Sequence, residues 1–230
     1  MASRSSASDL GERVAKRWGG CRELTSNRIV VATRSAHKLR ELAQLLHVPR
    51  AELLSLADLG ITDDVDETGE TFETNARLKA RAYARLTGLP VLADDSGLEV
   101  DALDGGPGVR TKRYAGPNAT DVQNNRKLLD ALAGLPSERR GARYVCVLAL
   151  GLPGDGGGVT VRTTRGTLRG RIAVAPKGSG GFGYDPIFEP KGEPPGGRTL
   201  GEWSAEEKNR VSHRSRAAAR MAPILESLGF

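Results

Sequence analysis

The chain has 230 residues, of which 38% are hydrophobic and 27% charged, and its formal net charge is +6. This composition is typical of a soluble globular protein with a sizeable core, and the longest clearly apolar run, residues 145–150, is far too short to cross a bilayer. The two cysteines, Cys21 and Cys146, favour a reducing, cytoplasmic compartment over a disulfide scaffold. Because residues 1–28 carry half of the net charge, the mildly basic remainder suits a small polyanionic substrate as well as it suits DNA.

The first 27 residues are rich in serine, arginine and glycine and show no apolar periodicity. We therefore predict a disordered extension or an overlong start over residues 1–27, and a single domain over residues 28–230. An organelle transit peptide is the alternative, but acidic residues interrupt that pattern and the apolar core of a secretory signal is missing.

Order is predicted to begin with a strand over residues 28–33, followed by a tight polar loop and a helix. The apolar stripe of this helix consists of Leu39, Leu42, Ala43 and Leu46. Ser35 is the expected N-cap. Such a unit directs unpaired backbone N–H groups and the positive end of the helix dipole at one place, which favours an anion there, and Lys38 adds charge. The alternative is an ordinary serine-capped helix with an exposed lysine.

A second helix is predicted after the acidic segment at residues 63–67, and it should end at Gly88 and Pro90. One face of this helix is formed by Phe72, Ala76, Ala80 and Tyr83. Acidic residues ahead of a helix stabilise its N-terminus, which is the default explanation for most of them. One of them can instead reach a cation shared with the next segment, because this helix leads directly into it.

That next segment, residues 91–93, predicts a short buried strand that stops at Asp94 and Asp95, after which Gly97 turns the chain. In α/β sheets, ligands bind at the carboxyl ends of strands. Two adjacent carboxylates repel each other unless a cation or a shared proton compensates them. The pair therefore indicates a metal or catalytic site, and the alternative is a local Asx turn between two strands.

The middle of the chain predicts scaffold elements. Residues 103–117 form a long glycine-rich loop, and residues 118–133 form a helix. Residues 142–151 and 159–171 predict two strands joined by a Gly-Asp-Gly hairpin turn.

A glycine-rich stretch over residues 177–186 is the second informative segment. Residues 178–183 match the pattern G-x-G-x-x-G, but no strand–helix unit surrounds them, so a Rossmann dinucleotide site is rejected. What remains is a loop that presents the rings of Phe182 and Tyr184 beside Lys177 and Asp185. Glycines permit close approach of the backbone to a ligand, and an aromatic face can stack on a base. The alternative is a surface loop with incidental aromatic residues.

The C-terminal region predicts two helices. Ser204 and Glu207 form a capping box, and Ser212 should cap a final helix that bends or restarts at Pro223. The apolar face of the final helix consists of Ala218, Met221, Ala222 and Leu225. Lys208, His213 and Arg214 gather near its start, which favours an anionic or carbonyl-bearing ligand over a purely structural role.

Taken together, five segments resemble the inosine triphosphate pyrophosphatase family, in the family's order and over residues 28–228. The segments are Val31-Ala32-Thr33 through Lys38 with Glu41-Leu42; Glu67-Thr68-Gly69 with Thr71-Phe72 and Asn75-Ala76; Ala93-Asp94-Asp95-Ser96-Gly97-Leu98; Gly180-Gly181-Phe182-Gly183-Tyr184-Asp185-Pro186; and Lys208 with Ser212-His213-Arg214. One departure concerns the first segment, in which Arg34-Ser35 stands where the family usually has Gly-Asn. A side chain at position 34 can alter how closely the backbone approaches phosphate.

The resemblance implies an α/β fold with an elongated mixed sheet flanked by helices and an active-site cleft between two lobes. It implies hydrolysis of deaminated purine nucleoside triphosphates (ITP, XTP and their deoxy forms) to the monophosphate and pyrophosphate, with Mg²⁺. It further implies a cytoplasmic homodimer that has no stable nucleic-acid partner and no membrane partner.

The same resemblance assigns roles to individual residues. Asp95 is the general base and, with Glu67 and Asp94, a magnesium ligand. The triphosphate is bound by Thr33, Arg34, Ser35, Ala36, His37 and Lys38, with help from Ser96 and Lys208. The purine is bound by Phe182, Gly183, Tyr184, Asp185, His213 and Arg214.

Two other functions stay open on the sequence. A non-catalytic nucleic-acid-binding domain fits the basic balance and the aromatic loop, but it leaves the acidic residues at 66–67 and 94–95 unexplained, because they repel phosphate without a metal. A different nucleotide phosphohydrolase, which releases inorganic phosphate, is the second alternative. A P-loop enzyme is excluded, because the sequence contains no G-x-x-x-x-G-K-[ST] motif.

Overall fold

Six strands form one mixed sheet in the structure, a computed structural model that describes residues 27–46 and 48–230. The strands are β1 (Arg28–Ala32), β2 (Glu52–Ser55), β3 (Val91–Val100), β4 (Gly141–Pro153), β5 (Val159–Ile172) and β6 (Phe188–Pro190). Their order is β2-β1-β3-β4-β5-β6; β1 pairs in parallel with β2 and β3, and the remaining pairs are antiparallel. Apart from Asn27, the predicted N-terminal extension lies outside the described residues.

Helices cover both faces of this sheet, which confirms the predicted mixed α/β fold. The α-helices of the described part are α1 (Ala36–Leu45), α2 (Phe72–Thr87), α3 (Asp121–Ala131), α4 (Ala205–Val211) and α5 (His213–Ser227). Helix α2 packs on one face of the sheet, and α1 and α5 pack on the other. Within the same described residues, no helix is long and apolar enough to cross a membrane.

The predicted helix caps are present. Ser35, Ser204 and Ser212 each accept a hydrogen bond from the backbone N–H three residues later, at the starts of α1, α4 and α5. Such bonds satisfy N–H groups that otherwise lack an intrahelical partner. Helix α2 ends at Gly88 in the left-handed conformation, which glycine adopts without steric cost.

Strand β3 does not stop at Asp94 and Asp95, so the prediction of a strand end and a turn there is wrong. Its partner β1 ends level with Ala93, but antiparallel pairing with β4 continues to Val100 and keeps the chain extended. Gly97 is therefore not a turn residue. A Cβ at this position would clash with the Thr111 hydroxyl oxygen, so glycine is required by close packing.

Three other predicted elements differ in the structure. The segment predicted as a loop at residues 103–117 contains a 3₁₀ helix, Gly108–Arg113, and the helix predicted at 118–133 is shorter, because Thr120 caps it and Leu132 ends it. Strand β2 was not predicted. The final helix does not restart at Pro223; it continues through the proline to Ser227.

The alternation of side chains along β3 divides the core into layers. Val91 and Ala93 face α2, whereas Leu92 faces α1 and α5. A third apolar cluster lies around the far half of β3 and β4, against Leu128 of α3 and Phe188 of β6. Successive side chains on a strand point to opposite faces of the sheet. Asp94 therefore lies on the same face as Leu92, and Asp95 lies on the same face as Ala93.

Candidate active site

One cavity of about 440 Å³ is lined by every residue that the sequence assigned to the site. It lies just beyond the carboxyl end of β1. The assigned residues that line it are Thr33, Arg34, Ser35, Ala36, His37, Lys38, Glu67, Asp94, Asp95, Ser96, Phe182, Gly183, Tyr184, Asp185, Lys208, His213 and Arg214. Segments far apart in the chain therefore meet at a single cleft, although their individual roles stay predictions.

The start of α1 forms one wall of the cavity. Thr33 follows the buried strand β1, and Ser35 caps the helix, so residues 33–38 present a helix N-terminus to the cavity. The side chain of Arg34 turns toward the acidic segment, where its guanidinium donates to the backbone oxygens of Ile61 and Asp63. The unusual arginine is thereby tied to the neighbouring loop.

Asp94 joins two cations on the α1 and α5 side of the sheet. Its Oδ1 pairs with Nζ of Lys38, and its Oδ2 lies 3.5 Å from Nε of Arg214. Burial acts to raise the pKa of Asp94, but the charges of Lys38 and Arg214 outweigh it and hold that pKa below its ordinary value. Asp94 is therefore a permanent anion that fixes one cation from each of two elements.

Asp95 faces the opposite side, where Lys79 of α2 bridges the carboxylates. Nζ of Lys79 donates to Oε1 of Glu67 (2.8 Å), to Oδ1 of Asp95 (3.2 Å) and to the backbone oxygen of Asp94 (2.6 Å). The other oxygen of Asp95, Oδ2, is buried and has no hydrogen-bond partner among the described residues. Burial, only partly offset by Lys79, raises the pKa of Asp95 above its ordinary value.

These carboxylates fit a small divalent cation. Mg²⁺ prefers hard oxygen ligands and is usually held by one or two carboxylates together with substrate phosphate. Glu67 and the free Oδ2 of Asp95 supply such oxygens on the α2 side of the sheet, whereas Asp94 is engaged on the other side. Within the described part of the chain, no three His, Cys, Asp or Glu side chains form a complete metal site, so substrate oxygens would have to contribute.

The aromatic loop forms the opposite wall and is held from several sides. Asp185 accepts hydrogen bonds from the backbone N–H of Phe182 (2.9 Å) and from Nζ of Lys208 (2.8 Å). The peptide groups of Gly183 bond to α3: its N–H donates to Asp121, and its carbonyl accepts from Asn125. Hydrogen bonds with Lys208, Asp121 and Asn125 therefore hold this loop in place.

The ring of Phe182 has close neighbours on the cavity side. It lies parallel to the imidazole of His37, with 5.2 Å between ring centroids and 20° between planes. Nζ of Lys208 lies 4.5 Å from the centroid of the same ring. Tyr184, by contrast, is buried and donates its hydroxyl to the backbone oxygen of Thr111, so its polar end is already engaged.

The start of α5 supplies two buried residues. The imidazole of His213 stacks on Tyr144 at 4.7 Å, and burial followed by the charges of Arg214 and Lys208 lowers its pKa well below its ordinary value. His213 is therefore neutral. Arg214 is 1% exposed and pairs with Glu41 of α1, which also lies 3.1 Å from Nζ of Lys208.

Sequence reasoning missed three residues that organise the site. Lys79 interrupts the apolar face of α2, and a lysine in such a position is almost never buried without a partner. That signal was available. Glu41 belongs to the first segment of the family resemblance, but neither Glu41 nor Cys146 was assigned a role, because their partners come from α5 and from β3 and are brought to them only by folding.

Comparisons with known proteins agree on one family. A profile of the Ham1 family matches residues 29–224. The chain is 50% identical over 192 residues to a dITP/XTP pyrophosphatase of Geobacter sulfurreducens, which covers 84% of this chain and 93% of the relative. A dITP/XTP pyrophosphatase of Bacillus subtilis is 41% identical over 198 residues, covering 86% of this chain and 96% of the relative.

Solved structures give the same result. A HAM1 protein of Coxiella burnetii superposes with a TM-score of 0.77 at 40% identity, covering 87% of this chain and 98% of that chain. A nucleoside-triphosphatase, dITP/XTP pyrophosphatase, of Mycobacterium abscessus superposes with a TM-score of 0.69 at 45% identity, covering 85% and 99% of the two chains.

Proposed function

The chain belongs to the Ham1 family, and from this premise we propose that the cavity between α1, β3 and the aromatic loop is the catalytic site of a Mg²⁺-dependent nucleoside triphosphate pyrophosphatase. The enzyme hydrolyses deaminated purine nucleoside triphosphates to the monophosphate and pyrophosphate. The observation that carries the assignment is the meeting of Lys38, Asp95 and Arg214 at one cleft, from three distant parts of the chain.

The reaction requires water to attack the α-phosphorus while the bond to the bridging oxygen of the β-phosphate breaks and pyrophosphate leaves. Asp95 is the proposed general base. Lys79 holds its Oδ1, which leaves Oδ2 as the oxygen that takes the proton from water. Glu67, together with substrate phosphate oxygens, would hold Mg²⁺, which would neutralise charge that develops on the phosphate.

The triphosphate is proposed to lie against the N-terminus of α1. The helix dipole and Lys38 both favour negative charge at this end. Ser96 and Lys208 also line this cavity and can donate to further phosphate or sugar oxygens. These interactions hold the substrate with its α-phosphorus near Asp95.

The purine is proposed to stack on Phe182, with its edge toward His213 and Arg214. Hypoxanthine and xanthine carry an oxygen at position 6, where adenine carries an amino group. A buried guanidinium donor aligned with that oxygen would be left unpaired by adenine, and sites of this kind discriminate by roughly 10⁴-fold. We further propose a homodimer that acts on the cytoplasmic nucleotide pool, and light scattering of the purified enzyme tests the dimer.

A panel of purine triphosphates assayed with Mg²⁺ tests the function. We expect pyrophosphate, not inorganic phosphate, to be released from ITP and XTP far faster than from ATP. Release of inorganic phosphate would instead indicate another class of phosphohydrolase, and equal turnover of ATP would contradict the proposed purine selectivity. Omission of Mg²⁺ should abolish turnover.

A further inference from the structure

The buried thiol of Cys146 contacts the active site from inside the core. Cys146 on β4 and Asp94 on β3 are diagonal neighbours on the same face of the sheet, because Asp94 pairs with Leu148 and Ser96 pairs with Cys146. The Sγ atom lies 3.2 Å from Oδ2 of Asp94. Cys146 is 0% exposed and does not line the cavity, so it cannot touch substrate.

The two oxygens of Asp94 have unequal partners. Oδ1 pairs with Lys38 and also lies near the hydroxyl of Ser96. Oδ2 faces Nε of Arg214 at 3.5 Å, but this contact is not a hydrogen bond, and Nε of Arg214 has no hydrogen-bond partner in the described part of the chain. Within residues 27–46 and 48–230, the thiol of Cys146 is therefore the only hydrogen-bond donor to Oδ2.

The surroundings of Cys146 make a donor at this position unexpected. The same cluster is formed by aliphatic side chains such as Val31, Leu92, Leu148 and Leu150, so a valine or leucine would fit the pattern of the layer. A cysteine packs as a small apolar residue but also carries an S–H donor. The S–H group faces Oδ2 of Asp94, so the one polar group of this side chain is directed at the carboxylate.

We propose that Cys146 is a positioning residue for substrate binding: its S–H group fixes the rotation of the Asp94 carboxylate, so that Oδ1 meets Lys38 while Oδ2 faces Arg214. This inference rests on the proposed function, because Lys38 and Arg214 are the residues assigned to the triphosphate and the purine. The thiol thus supports both ends of the substrate through one carboxylate.

The geometry predicts which kinetic constant changes. Asp95, Glu67 and Lys79 meet on the other face of β3, so the loss of the thiol leaves the group that takes the proton in place. Loosening Lys38 and Arg214 weakens the binding of ground state and transition state alike, which raises KM and leaves kcat unchanged. A substitution that only destabilised the core would not be expected to change KM alone.

The first experiment measures kcat and KM for ITP in Cys146→Ala, Cys146→Ser and Leu150→Ala. We expect Cys146→Ala to raise KM about tenfold with kcat within about twofold of wild type, and Cys146→Ser, which keeps a donor, to restore most of the affinity. Leu150 lies on the same strand and in the same apolar layer, and no hydrogen bond joins it to Asp94, so Leu150→Ala should lower the melting temperature and leave KM unchanged. An unchanged KM in Cys146→Ala, or a rise of the same size in Leu150→Ala or Cys146→Ser, would overturn the proposal.

A second measurement does not depend on activity. In a Cys21→Ala background, Cys146 is the only thiol, and its infrared S–H stretching band reports whether it donates. We expect this band to lie at lower frequency in the Asp94-containing protein than in the Asp94→Leu variant, which has no acceptor. A band at the same position in both proteins would refute the hydrogen bond, whereas a shifted band in an enzyme that does not hydrolyse ITP would refute the proposed function alone.

Discussion

Asp94 and Asp95 are adjacent on one strand, yet their carboxylates serve opposite faces of the sheet. Asp94 pairs with Lys38 and faces Arg214, whereas Asp95 accepts a hydrogen bond from Lys79. The reason is the two-residue period of an extended strand. Each carboxylate has its own cation, which offsets the repulsion between the two, and in the proposed mechanism this arrangement separates substrate positioning from proton transfer.

This division predicts different defects for two isosteric variants. Asp95→Asn removes the proton acceptor, and we expect kcat for ITP to fall by about 10²- to 10⁴-fold. Asp94→Asn leaves Asp95 in place but loses the attraction to Lys38 and Arg214, so the larger change should be in KM. Steady-state kinetics with ITP and Mg²⁺ measure both. Equal losses of kcat in the two variants would contradict the division of roles.

Glu41 predicts a change in base selectivity. Its carboxylate lies behind the cleft and pairs with both Lys208 and Arg214. In Glu41→Gln the charge is lost, so both cations lose an orienting partner, and the preference for ITP over ATP in kcat/KM should narrow by about tenfold. Glu206→Gln, at an exposed position of α4, is the control. Unaltered selectivity in Glu41→Gln would show that the two cations are positioned without this carboxylate.

Because His37 stacks on Phe182, we predict that a smaller side chain at position 37 makes substrate binding easier. The imidazole covers the ring on which the purine is proposed to stack, so the base has to displace it. We expect His37→Ala to lower KM for ITP by about two- to fivefold, consistent with a stacking contact of about 0.5–1 kcal/mol. His37→Phe retains an aromatic ring at this position and should keep KM near the wild-type value. A raised KM in His37→Ala would show that the imidazole aids binding instead.

The buried imidazole of His213 predicts a pH-dependent stability. Its pKa in the folded state is lowered, chiefly by burial, so the unfolded chain binds a proton near the ordinary pKa of about 6.5 while the folded chain does not. The contribution of His213 to the free energy of unfolding is therefore constant above that pH. It decreases as the pH drops below that value, by up to about 1.4 kcal/mol per pH unit.

Denaturant unfolding of wild type and His213→Gln at pH 7.5 and pH 5 measures this contribution. The glutamine variant lacks the titrating ring, so the free energy of unfolding of wild type relative to the variant should fall by up to about 2 kcal/mol between the two pH values. Both proteins contain the same carboxylates, so the pH-dependent contribution of those carboxylates cancels in the comparison. A difference that is constant with pH would mean that His213 protonates equally in the folded and unfolded chains.

Local patterns in the sequence were sufficient for most of the scaffold. The caps at Ser35, Ser204 and Ser212, the end of α2 at Gly88 and the strands β4 and β5 all follow from interactions within a few residues. The five segments of family resemblance were also enough to name the residues that line the cleft. The turn predicted at Gly97 was wrong for a non-local reason, because the pairing of β3 with β4 keeps the chain extended there.

The sequence by itself determined the fold class, the family and the list of residues around the cavity, because these depend on the order and type of residues along the chain. Only the tertiary structure decided how those residues are paired. Lys79 reaches Glu67 and Asp95, Glu41 joins Lys208 and Arg214, and Cys146 reaches Asp94, each across elements that are distant in the chain. Charges of opposite sign attract at any separation in sequence, so the packing of the sheet and helices determines which of them become partners.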